Sequence, residues 1–243
     1  MEERYVLNQE ARLWTCSQGN GPPMLLCSGG PGSADYLGPV ASMVDDLVFT
    51  IRCEQRGCGR SSREGPYDLK TTLSDLESVR KSYGIDGWIV AGHSWGANLA
   101  LAYAMEHAVA TRGLVYVCGN GAQHDVDWRE QYKSARAAQG EKAPETGFPG
   151  NDEVNREGNR AWYDYIKKPD FFRRIAGIRV PTLFVHGTRD VRPVWPAQQL
   201  AALIRSSADA SISGAAHYIW LTHGDELRSV LRNFIKQTLS QSG

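Results

Sequence analysis

The sequence predicts an α/β fold with a mostly parallel central sheet and helices on both faces. The first observation is an alternation, along most of the chain, of short apolar runs typical of buried strands with segments of helical period. The second is that polar or glycine-rich segments follow those runs, at the sheet edge where such folds bind ligands. A chain of 243 residues has room for one such domain with an insertion.

The amino-terminal part predicts the first strands of the sheet. Residues 1–28 predict two or three strands, including residues 12–16 and a continuous apolar run at residues 24–27, which is typical of a central parallel strand. Residues 48–52 predict the next strand, and residues 71–83 predict an amphipathic helix. The apolar face of that helix consists of Leu73, Leu76, Val79 and Tyr83.

The stretch at residues 88–98 carries the first chemical signal. An apolar strand runs into the motif Gly-x-Ser-x-Gly, from Gly92 to Gly96, and then into an alanine-rich helix. A sharp strand-to-helix bend crowds the backbone, so side chains at the two glycines would clash, and Ser94 is pushed out at the strand end. This pattern predicts a nucleophile elbow, with helix N–H groups pointing at the same spot. The alternative is an ordinary glycine-rich turn in which Ser94 caps the helix.

The strand rhythm is interrupted after a further predicted strand at residues 114–118. Residues 119–178 contain no buried-strand pattern but two polar helical stretches, at 127–138 and 153–167, around a loop-like segment at 140–150. Because this is too long for a plain connection, we predict a small helical cap at 119–178 inserted into a core formed by 1–118 and 179–243.

The sheet pattern resumes at residue 181. Residues 181–186 and 209–213 predict strands, and residues 195–204 and 225–239 predict helices.

Two further polar residues follow predicted strands. Asp190 comes after residues 181–186, and His217 comes after residues 209–213. A serine hydroxyl needs a base to take its proton, and that base needs an acid to orient it. The order Ser94, Asp190, His217 is that of α/β-hydrolase triads, so we predict these three as the catalytic residues.

Each of these residues has another possible role. Asp190 could cap a helix, and His217 could be a surface histidine with His223 as a competitor, although His223 resembles a helix start. The remaining histidines are predicted as packed side chains, for His93 and His186, or as surface residues, for His107 and His124.

Acyl transfer also needs donors for the oxyanion. The backbone N–H of Trp95, which follows the nucleophile, is one candidate. The N–H of Gly30, in the glycine-rich loop after the strand at 24–27, is the second. A phosphate-binding loop is the alternative, but the Lys-Ser/Thr pair that such loops require does not follow.

Together these motifs resemble the proline iminopeptidase group of the α/β-hydrolase superfamily. The motifs are Gly29-Gly30-Pro31-Gly32, Glu54-Gln55-Arg56-Gly57-Cys58-Gly59-Arg60-Ser61, Gly92-His93-Ser94-Trp95-Gly96, Gly187-Thr188-Arg189-Asp190 and Ala216-His217. The resemblance implies an α/β-hydrolase fold and cleavage of an amide or ester at a small acyl group, including an amino-terminal proline. It covers the predicted core and not the insertion.

The chain departs from that family at three points. Ser28 stands where the family usually has His, Glu54 stands where it usually has Asp, and the insertion is shorter than the family's cap, whose acidic residues hold the substrate amine. The substrate-binding candidates in the insertion are therefore two aromatic and two acidic residues: Trp128, Trp162, Glu130 and Glu157. For the glutamates the alternative is a solvated helix face.

Composition excludes several other classes of function. The formal net charge is +0, so no bulk attraction to nucleic acid or anionic membrane is expected. Five cysteines, an odd number, with no secretion signal indicate reduced thiols and a cytoplasmic protein. No Cys/His spacing fits a zinc site, so neither metal nor cofactor is expected. The expected partner is a small-molecule or short-peptide substrate.

Three functions remain open from the sequence. The first is a serine hydrolase of aminopeptidase type working through an acyl-enzyme. The second is a carboxylesterase or lactonase, which the short insertion favours. The third is non-hydrolytic use of the same fold, since a fold does not fix a function.

Overall fold

The computed structural model describes residues 1–122 and 125–240 and confirms the α/β fold. Within these residues the strands are β1 Glu2–Asn8, β2 Ala11–Gln18, β3 Pro23–Cys27, β4 Phe49–Cys53, β5 Trp88–His93, β6 Thr111–Val117, β7 Thr182–Gly187 and β8 Ser207–Ile212. The α-helices are α1 Gly38–Ala41, α2 Leu69–Ser82, α3 Trp95–Glu106, α4 Val126–Gln139, α5 Asp152–Ile166, α6 Phe171–Ala176, α7 Trp195–Leu203 and α8 Gly224–Ser240.

The strands form one sheet in the order β1-β2-β4-β3-β5-β6-β7-β8. The pairs β1/β2 and β2/β4 are antiparallel, and the pairs from β4 to β8 are parallel. The carboxyl ends of β3, β5, β7 and β8 therefore lie along one edge, where the loops after them can meet.

Both faces of the sheet are buried, which explains the continuous apolar runs of the central strands. Side chains alternate between faces along β3: Leu25 packs with residues of α2, α3 and α7, whereas Met24 and Leu26 pack with residues of α1 and α8.

The elbow between β5 and α3 has the predicted steric origin. A Cβ at Gly92 would lie 2.0 Å from the carbonyl oxygen of Gly96, and a Cβ at Gly96 would lie 2.1 Å from that of Cys27. Ser94 adopts φ 59°, a left-handed conformation that costs energy for a residue with a side chain.

The segment between β6 and β7, which we call the insertion (residues 119–178), holds α4, α5 and α6. The predicted helices at 127–138 and 153–167 are confirmed as α4 and α5, and α6 was not predicted. The insertion contacts the glycine loop directly: the Asn151 N–H donates to the Gly32 carbonyl at 2.8 Å, and the Asn155 side-chain amide donates to that of Pro31 at 2.9 Å. The division into core and cap stays a prediction.

The five cysteines are buried and free of disulfides, as expected. Over residues 1–122 and 125–240, no helix combines the length and the apolar character needed to cross a bilayer.

Candidate active site

Ser94 lies between β5 and α3, at the edge where the sheet's carboxyl ends meet. Its side chain lines a cleft of about 1190 Å³ that opens between the core and the helices α4 and α5. The elbow thus presents the hydroxyl to the space where a substrate would bind.

His217 and Asp190 are brought together by the loops that follow β8 and β7. The Nδ1 atom of His217 lies 2.7 Å from Oδ2 of Asp190, and both side chains are only 2% exposed. Burial opposes ionisation of Asp190, but the charge of His217, their hydrogen bond and Arg192 outweigh it and lower the pKa of Asp190 to about 2. The carboxylate can therefore hold the imidazole with Nδ1 protonated and Nε2 free to accept a proton.

The Nε2 atom of His217 is buried and has no hydrogen-bond partner among the described residues. The Ser94 hydroxyl therefore donates no hydrogen bond to this nitrogen in the structure. Burial lowers the pKa of His217 below its usual value despite the opposing influence of Asp190, so the imidazole is neutral near pH 7. The His217 ring lies 4.5 Å, centroid to centroid, from that of His93, the residue before Ser94. Hydrogen bonds of this kind commonly tighten only when substrate is bound.

His93 connects His217 to the glycine loop. Its Nε2 lies 3.0 Å from the carbonyl oxygen of His217, and its Nδ1 lies 2.8 Å from the hydroxyl of Tyr36. That hydroxyl also accepts the N–H of Gly29 at 2.7 Å. Burial lowers the pKa of His93 well below its usual value and raises that of Tyr36, so both side chains are neutral.

The glycine loop after β3 lies directly against Ser94. A Cβ at Gly29 would lie 2.5 Å from Cβ of Ser94, so only glycine fits there. Gly30, at φ 59°, and Trp95 both line the cleft beside Ser94. The Trp95 N–H begins α3 and has no acceptor within the helix, and we keep both N–H groups as oxyanion candidates.

Arg192 links the Asp190 carboxylate to the insertion. It donates to both carboxylate oxygens of Glu141, at 3.2 Å for the Nη2–Oε2 pair, and its Nη1 lies 3.4 Å from Oδ1 of Asp190. Burial opposes ionisation of Glu141, but the Arg192 hydrogen bond outweighs it and lowers the pKa of Glu141. The segment after α4 is thereby tied to the loop that carries Asp190.

Two groups of side chains bring three potential metal-ligand atoms within 4.8 Å of one another. The first group is His93, Cys118 and His217. Both ring nitrogens of His93 are already hydrogen bonded, so only two potential ligand atoms remain for an ion. In the second, the guanidinium of Arg192 holds the carboxylates of Glu141 and Asp190. Both groups are therefore explained without an ion.

The four substrate-binding candidates are separated by the structure. Trp128 lines the cleft and stacks on Tyr132 with ring centroids 5.4 Å apart. Trp162 does not line it and is buried against Tyr165 and Phe171. Glu130 and Glu157 do not line it either, because they lie on other faces of α4 and α5. No pair of acidic side chains therefore clamps a substrate amine among the described lining residues.

The two residues that depart from the family pattern support the glycine loop. The Ser28 hydroxyl donates to Asp35 at 2.8 Å. The fully buried Glu54 carboxylate accepts the Asp35 N–H at 3.1 Å and pairs with Arg60 at 2.5 Å. These residues shape the loop and do not line the cleft.

Among the other histidines that the structure describes, one differs from its predicted burial or exposure. His93 and His186 are packed and hydrogen bonded, His186 to Ser211 at 2.6 Å. His107, predicted at the surface, is half-buried, with its ring 4.7 Å from that of Tyr103. His124 lies outside the described residues.

Sequence reasoning missed Tyr36, Glu141, Arg192 and the basic residues of the cleft wall. Tyr36 and Glu141 lie in irregular segments and left no signal. The basic residues did leave one, since Arg129, Lys133 and Arg136 recur at spacings of four and three, which place them on one face of α4.

The comparisons with known proteins agree with this fold. The alpha/beta hydrolase fold family matches residues 22–154. Proline iminopeptidase of Neisseria gonorrhoeae is 37% identical over 99 residues, 40% of this chain and 32% of that protein. Proline iminopeptidase of Saccharolobus solfataricus is 27% identical over 271 residues, covering 92% of this chain and 87% of that protein.

Solved structures extend the similarity in fold. Proline iminopeptidase of Mycobacterium smegmatis superposes with a TM-score of 0.77 at 17% identity, covering 100% of both chains. Bromoperoxidase of Bacillus anthracis superposes with a TM-score of 0.80 at 18% identity, covering 97% of this chain and 100% of that one.

The coverage limits what the relatives say about activity. The chain spans 32–40% of the length of the Mycoplasma and Neisseria relatives that it matches. The family match covers more than half of this chain and includes the β3 loop and the elbow. The protein therefore belongs to the alpha/beta hydrolase fold family.

Proposed function

We propose that the protein is a serine hydrolase in which Ser94 is the nucleophile, His217 the general base and acid, and Asp190 the residue that orients His217. The observation that carries the proposal is the buried His217–Asp190 pair at 2.7 Å, whose imidazole lies 4.5 Å, centroid to centroid, from the ring of His93, the residue before the elbow serine. A pair with a vacant, buried Nε2 is what a proton acceptor requires.

The reaction follows from these positions. Nε2 of His217 takes the hydroxyl proton as Ser94 attacks the substrate carbonyl, and the imidazolium is stabilised by Asp190. The N–H groups of Gly30 and Trp95 stabilise the oxyanion, and each such donor contributes roughly 3 kcal/mol to lowering the barrier. His217 then protonates the leaving group, and a water molecule, activated by the same base, hydrolyses the acyl-enzyme.

Two substrate classes compete for this site. The relatives named proline iminopeptidase favour cleavage of an amino-terminal residue from a peptide. The cleft favours the second class, esters or lactones, because Asp164 is its only described carboxylate lining residue and the Glu130 and Glu157 side chains lie elsewhere. We therefore propose ester-type acyl hydrolysis as the second candidate.

A fluorophosphonate probe tests the chemistry independently of the substrate. We expect it to label the wild-type protein and neither Ser94→Ala nor, at a comparable rate, His217→Ala. Equal labelling of wild type and Ser94→Ala would refute the assignment. A panel of prolyl anilide and short-chain nitrophenyl esters then separates the two substrate classes by kcat/KM.

A further inference from the structure

We propose that the substrate carries an anionic group, a carboxylate or a phosphate, which is bound by a cationic wall that α4 and α5 present above Ser94. This inference rests on the proposed hydrolase function and assigns its substrate class. It also predicts that a substrate with a free amine, as an aminopeptidase requires, is disfavoured.

The wall consists of six basic side chains that line the same cleft as Ser94 and Gly30. They are Arg129, Lys133, Arg136, Arg156, Arg160 and Lys167. Only one acidic side chain, Asp164, lines the cleft among the described residues. A cleft lined by one sign of charge raises the local concentration of ligands of the opposite sign.

The positive charge of the cleft results from which faces of α4 and α5 point into it and not from the overall composition of these helices. Within α4, Arg129, Lys133 and Arg136 line the cleft, whereas Asp127 and Glu130 do not. Within α5, Asp152, Glu153 and Glu157 likewise do not line it, although Arg156 and Arg160 do. Each helix therefore has a cationic face toward the cleft and carries most of its carboxylates on other faces.

The cations of the wall are weakly neutralised by the protein itself. Arg156 lies 3.9 Å from Glu157 and Arg160 lies 4.0 Å from Asp164, and all four side chains are at least 44% exposed. For Arg129, Lys133, Arg136 and Lys167, the described part of the chain places no carboxylate within 4.0 Å. Exposed pairs at such distances bind weakly, so the positive charges are available to a ligand.

Arg192 has a different role in the same cleft. Its guanidinium is engaged by Glu141 and Asp190 and holds these two residues together. It is therefore not free to bind a substrate anion. The side-chain amide nitrogens of Asn155 and Asn159 are hydrogen bonded within the protein, to the Pro31 carbonyl and to Asn155, so the wall acts on a ligand through its charged side chains.

Three 4-nitrophenyl esters of one chain length test the inference: the monoester of hexanedioate, the hexanoate and the 6-aminohexanoate. They end in a carboxylate, a methyl group and an ammonium group. At low ionic strength we expect kcat/KM to be highest for the carboxylate ester and lowest for the ammonium ester. In about 1 M KCl, where the Debye length falls to about 3 Å, we expect the difference to shrink severalfold. Equal rates, or a preference for the ammonium ester, would overturn the inference.

Charge-removing variants locate the preference. The triple variant Lys133→Gln, Arg136→Gln, Arg160→Gln should lower kcat/KM for the carboxylate ester on the order of tenfold, since each unit charge at about 6–8 Å in water contributes roughly a two- to threefold factor. Its kcat/KM for the hexanoate should fall by a much smaller factor, so the preference for the carboxylate ester should drop severalfold. The matched control, Lys70→Gln, Lys81→Gln, Arg173→Gln, removes three exposed cations that do not line the cleft and should change neither rate. An unchanged carboxylate preference in the first variant would overturn the inference.

Direct binding separates this inference from the proposed function. Calorimetry on Ser94→Ala protein should show that hexanedioate or hexyl phosphate binds and that 1,6-diaminohexane does not, and comparison of the two anions distinguishes carboxylate from phosphate. Anion binding without any hydrolysis or fluorophosphonate labelling would refute the hydrolase function alone. Hydrolysis with tighter diamine binding would refute the anionic substrate alone.

Discussion

Replacing Tyr36 with phenylalanine tests how His217 and the glycine loop are held in position relative to each other. A buried neutral histidine has one N–H, and the His217 carbonyl can only accept, so the proton of His93 lies on Nε2. Nδ1 must then accept from the Tyr36 hydroxyl, which leaves that oxygen to accept the N–H of Gly29. One hydroxyl therefore joins the loop beside the nucleophile to the backbone of the base.

The expected effect follows from what Tyr36→Phe leaves unpaired. The Gly29 N–H and the Nδ1 atom of His93 each lose their partner in a buried site, at a cost of about 1–3 kcal/mol per group. Because the missing oxygen leaves room for both groups to relax, we expect the free energy of unfolding to fall by about 2–4 kcal/mol. A displacement of about 1 Å at the loop or the base would lower kcat roughly 10²-fold, with a smaller change in KM.

Urea unfolding and ester kinetics measure the two effects separately. Tyr83→Phe is the matched control, because it removes a hydroxyl bonded to Thr15 at 3.0 Å, and neither residue lines the cleft. We expect the control to lower stability by about 1 kcal/mol and to leave kcat unchanged. If Tyr36→Phe lowers stability and leaves kcat within twofold of wild type, the hydroxyl is structural only and the reasoning is wrong.

Four other predictions test the site and the elbow. Asp190→Asn should lower kcat about 10³–10⁴-fold through the wrong His217 tautomer, and less than a tenfold loss in ester assays would contradict this. Because the base is neutral His217 with a lowered pKa, kcat/KM should be constant above pH 7 and fall with pH below 6.5; a rise toward acid in the pH profile would contradict it. His93 and His217 bind more protons when unfolded, so the free energy of unfolding in urea should also fall below pH 6.5, and constancy would count against burial of neutral rings. Gly96→Ala should prevent soluble expression, because its Cβ would lie 2.1 Å from the Cys27 carbonyl oxygen, whereas Gly84→Ala, which meets no atom within 4 Å, should fold at a cost of about 1–2 kcal/mol for its positive φ.

The sheet and the triad candidates could be read from the sequence because their signals are local. β3, β5 and β6 are buried on both faces and appear as apolar runs, and Ser94 directly follows β5. Asp190 follows the equally buried β7, whereas His217 follows β8, which is mostly exposed and has a weaker strand pattern. Parallel pairing of β3 and β5 then brings the glycine loop and Ser94 to the same edge of the sheet. The local sequence pattern was therefore sufficient to locate a candidate site residue wherever that residue closely follows the end of a strand.

The remaining parts of the site depend on contacts between segments far apart in the chain. The Arg192–Glu141 pair spans 51 residues, and nothing in either local sequence indicates the other partner. The face of α4 toward the cleft is set by packing of Trp128, so Arg129 faces the cleft and its neighbour Glu130 does not. Successive helical residues differ by about 100°, and the sequence does not tell which of two adjacent charges points inward. For this reason Glu130 was chosen as a substrate residue and Arg129 was not.

Helix α5 both contacts the segments with the candidate oxyanion donors and carries cations of the wall. Asn155 donates to the Pro31 carbonyl, and the Trp95 indole donates to the Gly158 carbonyl at 3.3 Å, so this helix is bonded to both segments that supply the candidate oxyanion donors. Arg156 and Arg160 lie on the same stretch of α5 and face the cleft. An anion held by these side chains would therefore be positioned relative to the oxyanion donors and not only concentrated near them. Binding energy used to position the reacting group raises kcat, whereas uniform attraction lowers only KM. The hexanoate ester should accordingly lose kcat as well as affinity relative to the hexanedioate ester.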